Sequence, residues 1–91
     1  MHHVAFDLFR AYRLSPAVSL RAEPFGALAY HFGTRRLSLV KSPELVTVLR
    51  LLDSHDSAAG ALDAAGVPIR QRARYAVALA ALADSEVIGA R

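Results

Sequence analysis

The side chains that most often carry out catalysis are sparse in this sequence. Its four histidines are His2, His3, His31 and His55, and beyond the terminal pair none has metal-ligand spacing. The acidic residues are scattered, so no two are obviously paired for acid–base work. Cysteine is absent, which removes a thiol nucleophile and a thiolate metal site, and the isolated glycines form no phosphate-binding loop. The residues therefore predict a protein that is not an enzyme and that has no cofactor.

Arginine is the charged residue that the sequence does place in groups. Arg35 and Arg36 are adjacent, and Arg70, Arg72 and Arg74 alternate at the start of a helical segment. Such groups suit either the phosphates of DNA, with the helix in a major groove, or the carboxylates of a peptide. The rest of this helical segment is nearly all Ala, Leu and Val, which read base edges poorly. A winged helix-turn-helix DNA-binding protein stays an alternative, as does a plainly solvated helix start.

Two β-strands must position the first pair of arginines. Phe25–Phe32 and Leu37–Lys41 read as strands, and the polar turn at residues 33–36 joins them. Gly33 is expected to supply the positive φ that a tight hairpin often needs. Alternation puts Leu28, Tyr30 and Phe32 on one face and Ala27, Ala29 and His31 on the other, while Leu37 and Leu39 lie opposite Ser38 and Val40.

A third strand and three helices complete a β-β-β-α-α-α order. Apolar and polar residues alternate in Val18–Glu23, and Pro24 ends this predicted strand. Together with the two strands that follow, it is predicted to form an antiparallel meander. Ser42-Pro43-Glu44 is a helix start, followed by an apolar stripe of Leu45, Val48, Leu49 and Leu52. The sequence thus predicts an α+β fold, winged-helix-like, with a three-stranded antiparallel sheet packed on three helices.

The second and third helices are also marked in the sequence. Ser57–Ala65 begins with a capping serine and closes at Gly66. The third helix runs from near Pro68 to about Asp84, and residues 87–89 after it either add a final apolar strand or tuck under the core. The core face of the third helix is predicted to hold Tyr75, Ala76, Leu79, Leu82 and Ala83. A second face of this helix holds Arg70, Arg74, Val77, Ala78 and Ala81.

Length and composition indicate a single small domain. The chain has 91 residues and a net charge of +3, too small a surplus to mark a dedicated nucleic-acid binder. Residues 1–14 lack a clean period and are predicted to be an N-terminal arm, with the folded domain at 15–91. Met1-His2-His3 fits a copper- or nickel-chelating terminus, a motif that easily arises by chance. With no apolar run long enough to span a bilayer and no secretion signal, we expect a cytoplasmic protein without membrane contact.

The residues favour peptide binding at one sheet edge. Only a short C-terminal strand follows Leu37–Lys41 in sequence, so this strand is expected at an edge, where unpaired N–H and C=O groups receive another peptide. Small side chains on the third helix would let that peptide come close. The predicted peptide-binding residues are Leu37, Ser38, Leu39, Val40, Lys41, Arg70, Arg74, Val77, Ala78 and Ala81. Pairing of this edge with a second copy of the chain, as a homodimer by strand exchange, is a further alternative.

Specific stretches of the sequence resemble a known family. They include Tyr12-Arg13-Leu14, Leu20-Arg21, the run EPFGALAYHFGTRRLS at residues 23–38, Lys41-Ser42-Pro43 and residues 64–68. On these residues the chain closely resembles the peptide chaperones of the mycofactocin system, PqqD-like recognition elements for ribosomally made, modified peptides (RiPPs). The resemblance covers essentially the whole folded chain, and residues 1–9 match less well.

This resemblance implies a particular function. Such domains have a winged-helix-like fold and bind the leader of a precursor peptide as an extra strand between the third strand and the third helix. The mycofactocin chaperone presents its precursor peptide to a radical S-adenosylmethionine (SAM) maturase, which holds the iron–sulfur clusters. No catalytic residues carry over. We expect Arg35 and Arg36 to lie on the surface that meets the maturase.

Overall fold

The computed structural model describes residues 6–91. Its strands are β1 (Tyr12–Leu14), β2 (Val18–Glu23), β3 (Gly26–His31), β4 (Arg36–Val40) and β5 (Ile88–Ala90), and its helices are α1 (Pro43–Leu51), α2 (Ala58–Ala64) and α3 (Arg72–Asp84). Short 3₁₀ turns at Leu52–Ser54 and Ile69–Gln71 follow α1 and precede α3. The predicted α+β fold, with strands before helices, is confirmed. The Met1-His2-His3 pattern and the first part of the predicted arm lie outside the described residues.

The central sheet is the predicted antiparallel meander. Its strand order is β2-β3-β4, with Leu20 opposite Ala29 and Ala29 opposite Ser38. The inner face carries Ala27 and Ala29, both fully buried, because small residues let the helices pack closely against the sheet. The alternation predicted for β3 and β4 is confirmed, since Val40 is also fully buried whereas Leu37 and Leu39 are exposed.

The helices begin where their capping residues predict. The Ser42 side chain accepts a hydrogen bond from the Leu45 N–H, and the Ser57 side chain accepts one from the Gly60 N–H. Gly66 follows α2 with a φ of 79°, as expected of a helix-terminating glycine. The third helix differs at its start, because no side chain caps it and residues 69–71 form a 3₁₀ turn instead. Arg70 therefore precedes the α-helix.

The expectation that Gly33 supplies a positive φ is wrong. Arg35 takes the left-handed conformation, with a φ of 60°, and its N–H bonds to the His31 carbonyl at 2.7 Å. Gly33 meets a different need, because a Cβ at this position would lie 2.9 Å from Cε1 of the His31 ring. The glycine is required by the close approach of an imidazole rather than by its own backbone angle.

The core lies between the inner sheet face and the helices. Its largest fully buried side chains are Leu49, Leu52, Leu62, Leu79, Ile88, Val40, Val48 and Val87. Residues 8–14 also contact this core: Leu8 and Arg10 carbonyls accept hydrogen bonds from Ala59 and Ala58 at the start of α2. Tyr12 is buried, and β1 pairs antiparallel with β5 as a separate two-stranded ribbon. Among residues 6–91 no helix combines the length and apolar character needed to cross a bilayer.

Candidate functional site

The outer edge of β4 carries no strand in the part of the chain that the structure describes. β4 pairs with β3 on one side only, because it is the last strand in the order β2-β3-β4. The predicted edge position is therefore confirmed. An open edge of this kind presents backbone donors and acceptors to an incoming strand.

Strand geometry identifies which backbone groups of β4 point to this edge. The Phe32 N–H bonds to the Ala17 carbonyl, so the even-numbered residues of β3 direct their backbone groups toward β2. Successive residues alternate in direction, which leaves Ala27, Ala29 and His31 bonded to β4. Their partners in β4 are Val40, Ser38 and Arg36. Leu37 and Leu39 consequently direct their N–H and C=O groups away from β3, toward the open edge.

A groove separates this edge from α3. One part, about 440 Å³, is lined by Ser38, Leu39, Lys41, Leu45, Ala78, Ala81, Leu82 and Ser85. A second part, about 380 Å³, is lined by Lys41, Ser42, Glu44, Leu45, Gln71, Arg74, Tyr75 and Ala78. The two parts share Lys41, Leu45 and Ala78, so they adjoin and together make up the groove. On the α3 side the first part is lined by Ala78, Ala81, Leu82 and Ser85, mostly small side chains that allow another backbone to lie close, whereas the second part is lined by the larger Arg74 and Tyr75.

Six of the ten residues predicted to bind peptide line this groove, namely Ser38, Leu39, Lys41, Arg74, Ala78 and Ala81. The other four lie elsewhere. Val40 points into the core, and Leu37 lies on the outer face of the sheet. Val77 is 72% exposed on the solvent side of α3, and Arg70 is exposed in the 3₁₀ turn. Helical rotation separates Val77 from its neighbour Ala78 by about 100°.

Several groove residues are absent from the sequence-based prediction. Leu45 and Leu82 belong to the buried stripes of their helices, where the sequence pattern predicts core. Ser85 follows the last turn of α3, and Tyr75 was predicted as core. Glu44 lines the groove because the Ser42 cap turns α1 back directly after β4. The connection between β4 and α1 is only two residues long, and this short connection is the sequence feature that could have identified Glu44 as a groove residue.

The arginines near the start of α3 serve different structural roles. Arg72 forms an ion pair with Asp63 at the end of α2, so it ties the two helices together. Arg74 is exposed and lines the groove near Lys41. Lys41, Arg74 and Glu44 all line the second part of the groove. This part therefore carries a net positive charge suited to a carboxylate.

The outer sheet face carries a contiguous apolar patch, formed by Leu28, Tyr30, Phe32, Leu37 and Leu39. Tyr30 lies opposite Leu37 and Leu28 lies opposite Leu39 across β3 and β4. The Phe32 ring packs edge-on against Tyr30, with centroids 5.0 Å apart. A shallow depression of about 330 Å³ lies over most of this patch, bordered by Ser19 and Arg21.

Arg35 and Arg36 sit at the tip of the hairpin, at one end of this sheet. Both are exposed, and neither makes an ion pair with another described residue. Within residues 6–91 no three His, Asp or Glu side chains come together in a way that would hold a metal ion.

Comparison with known proteins assigns the chain to a family. The sequence profile described as "Peptide chaperone MftB family" matches residues 11–89. The chain belongs to this family. Relatives named Peptide chaperone MftB occur in Mycobacterium ulcerans (strain Agy99), 46% identical over 84 residues, and in Mycolicibacterium smegmatis (strain ATCC 700084 / mc(2)155), 46% identical over 85 residues. The matches cover 92% and 93% of this chain and 77% and 83% of those relatives.

A third member of the peptide chaperone MftB family, from Mycobacterium tuberculosis (strain ATCC 25618 / H37Rv), is 42% identical over 83 residues. That match covers 91% of this chain and 76% of the relative. No solved structure gives a significant match. The family resemblance predicted from the sequence is confirmed, and a peptide chaperone has a non-catalytic role.

Proposed function

We propose that this chain binds the leader of the mycofactocin precursor peptide as an added β-strand along the open edge of β4. The observation that carries the proposal is an edge strand with outward backbone groups, beside a groove in which α3 presents the small side chains of Ala78 and Ala81. Membership of the peptide chaperone MftB family supports a peptide as the guest. In this function the domain is a RiPP recognition element in the cytoplasm, with no catalytic step of its own.

The dimensions of the site set the length of the bound segment. β4 has five residues, which span about 17 Å in an extended chain. A guest of five or six residues matches the whole edge, with main-chain hydrogen bonds supplying affinity and side-chain pockets supplying selectivity. Arg74 and Lys41 favour a guest carboxylate in the second part of the groove, which both residues line. Because Arg74 is exposed, that attraction is modest and sensitive to salt.

Presentation of the bound peptide to a radical SAM maturase is the second part of the proposal. Arg35 and Arg36 are assigned to the surface that meets this partner, since both stand at the hairpin tip away from the groove. The two charges are available to carboxylates of another protein. Replacing both with Glu should weaken association with the maturase while leaving affinity for the peptide unchanged.

Winged helix-turn-helix DNA binding is the alternative function. The exposed Arg70 and Arg74 near the start of α3 favour it, whereas Arg72 is engaged by Asp63. DNA binding would show as retardation of duplex DNA in a gel at physiological salt, with strong salt dependence. Under the proposed function we expect no such retardation.

Isothermal titration of the full chain with the mycofactocin precursor peptide tests the proposal. The informative variant is Leu39→Pro, which removes a backbone N–H directed toward the open edge but none of the bonds to β3. The matched control is Ala22→Pro, because Ala22 occupies the same kind of outward position on the opposite edge strand β2. We expect Leu39→Pro to abolish binding and Ala22→Pro to retain it. Equal affinity for both folded variants would exclude strand addition at β4.

Oligomeric state is measured in the same samples. Light scattering after size exclusion would reveal a homodimer that uses the β4 edge for strand exchange. If the free chain is a dimer that the peptide converts to a monomer, dimerisation and peptide binding use the same β4 edge. A dimer that persists with peptide bound uses a different surface.

A further inference from the structure

A strand added beside β4 would have two faces, and the structure offers each of them a different surface. Side chains of an added strand continue the pleat of the sheet, so they alternate between the groove and the outer sheet face. Those on the groove side meet Ser38, Ala78 and Ala81. Those on the outer side meet Leu37 and Leu39, which lie on the sheet face opposite the buried Val40, although Leu39 also borders the groove.

These two leucines are unusual occupants of an edge strand. Leu37 is 60% exposed and Leu39 is 53% exposed. Open edges in soluble proteins are commonly protected by charged residues at such positions, and among the residues of β4 only Arg36, next to the turn, is charged. Single exposed apolar residues are ordinary, but here the leucines join Leu28, Tyr30 and Phe32 in one patch. Contiguous exposed apolar patches are typical of interaction surfaces.

Backbone direction links the leucines to the incoming strand. Leu37 and Leu39 are the same residues whose N–H and C=O groups point to the open edge, so guest residues opposite them are their direct cross-strand neighbours. Such neighbours have Cβ atoms about 4.5–5.5 Å apart and pack against each other. The next strand inward lies about 4.8 Å further away. Leu28, on β3, is therefore on the same face but beyond the reach of direct pairing.

We propose that the guest carries apolar side chains at two positions separated by one residue, and that these pack on Leu37 and Leu39 at the outer face. The domain thus recognises an alternating strand: apolar residues face outward, and the residue between them enters the groove beside α3. This inference rests on the proposed function, because it specifies the class of peptide that the β4 edge accepts. It makes Leu37, which does not line the groove, a residue that determines specificity.

The test combines protein variants with a scan of the peptide. Titration calorimetry compares the wild-type chain with Leu37→Thr and with Leu37→Thr/Leu39→Thr, which keep β propensity and remove apolar surface. Leu28→Thr is the matched control on the same face. We expect about a threefold or greater loss of affinity for the single variant, about tenfold for the double variant, and less than twofold for the control.

Serine substitution at each position of the precursor peptide locates the partners of the leucines. Two positions, i and i+2, should lower affinity for the wild-type chain, and their effect should largely disappear with Leu37→Thr/Leu39→Thr. Such non-additivity reports direct contact. Unchanged affinity of the leucine variants, alongside lost binding for Leu39→Pro, would overturn this inference and leave strand addition intact. An equal loss for Leu28→Thr would also overturn it, and no binding by the wild-type chain would reject the proposed function itself.

Discussion

The Nδ1 atom of His31 accepts a hydrogen bond from the backbone N–H of Gly33, 3.0 Å away, within the turn that leads into β4. The same atom also accepts from the Thr34 N–H at 3.1 Å. Since His31 is buried on the inner sheet face, its ring is held in place while it organises the turn. Any side chain at position 33 would collide with this ring. The start of the proposed docking strand therefore depends on an imidazole at the end of β3.

Replacing His31 with Ala should destabilise the fold by about 1–2 kcal/mol, because two backbone donors lose their acceptor at a part-buried site. His31→Asn retains an acceptor close to the position of Nδ1, so it should recover much of the loss. Urea denaturation followed by circular dichroism measures both variants. If Asn is as destabilising as Ala, the hydrogen bonds are not what the turn requires.

Reversal of charge at Arg74 should weaken peptide binding more than the same change at Arg70. Arg74 lines the groove, whereas Arg70 lies outside it in the 3₁₀ turn. We expect a three- to tenfold loss of affinity for Arg74→Glu at low salt, shrinking as salt is added, and less than twofold for Arg70→Glu. Calorimetric titrations at two salt concentrations measure this. Equal losses for both variants would indicate a general effect of net charge.

Filling the groove should block the guest without harming the fold. Ala81 is exposed and lines the groove, so Ala81→Leu places a larger side chain where the peptide backbone would lie. Ala73 is also exposed on α3 but does not line the groove, which makes Ala73→Leu a control of the same chemistry. We expect at least a tenfold loss of affinity for Ala81→Leu, unchanged affinity for Ala73→Leu, and similar melting temperatures. Full affinity of Ala81→Leu would place the peptide elsewhere.

The sequence alone determined the elements whose causes are local. The Ser42 and Ser57 caps, the Gly66 terminus and the alternation in β3 and β4 all depend on residues within a few positions of one another. The apolar stripe of α1 follows in the same way from helical period. These features specified three strands, three helices and an open edge, and that edge together with the small side chains of the third helix favoured peptide binding.

Tertiary structure decided which side chains share a surface. Leu45, Tyr75 and Ser85 line the groove because α1 and α3 pack beside β4, a relation between segments distant in sequence. The left-handed residue of the turn is Arg35 rather than Gly33, and the glycine instead accommodates the close approach of the buried His31 ring. Pairing of β1 with β5 joins the two ends of the described chain. Local pattern fixes period and caps, whereas packing between remote segments sets which face of each element is covered.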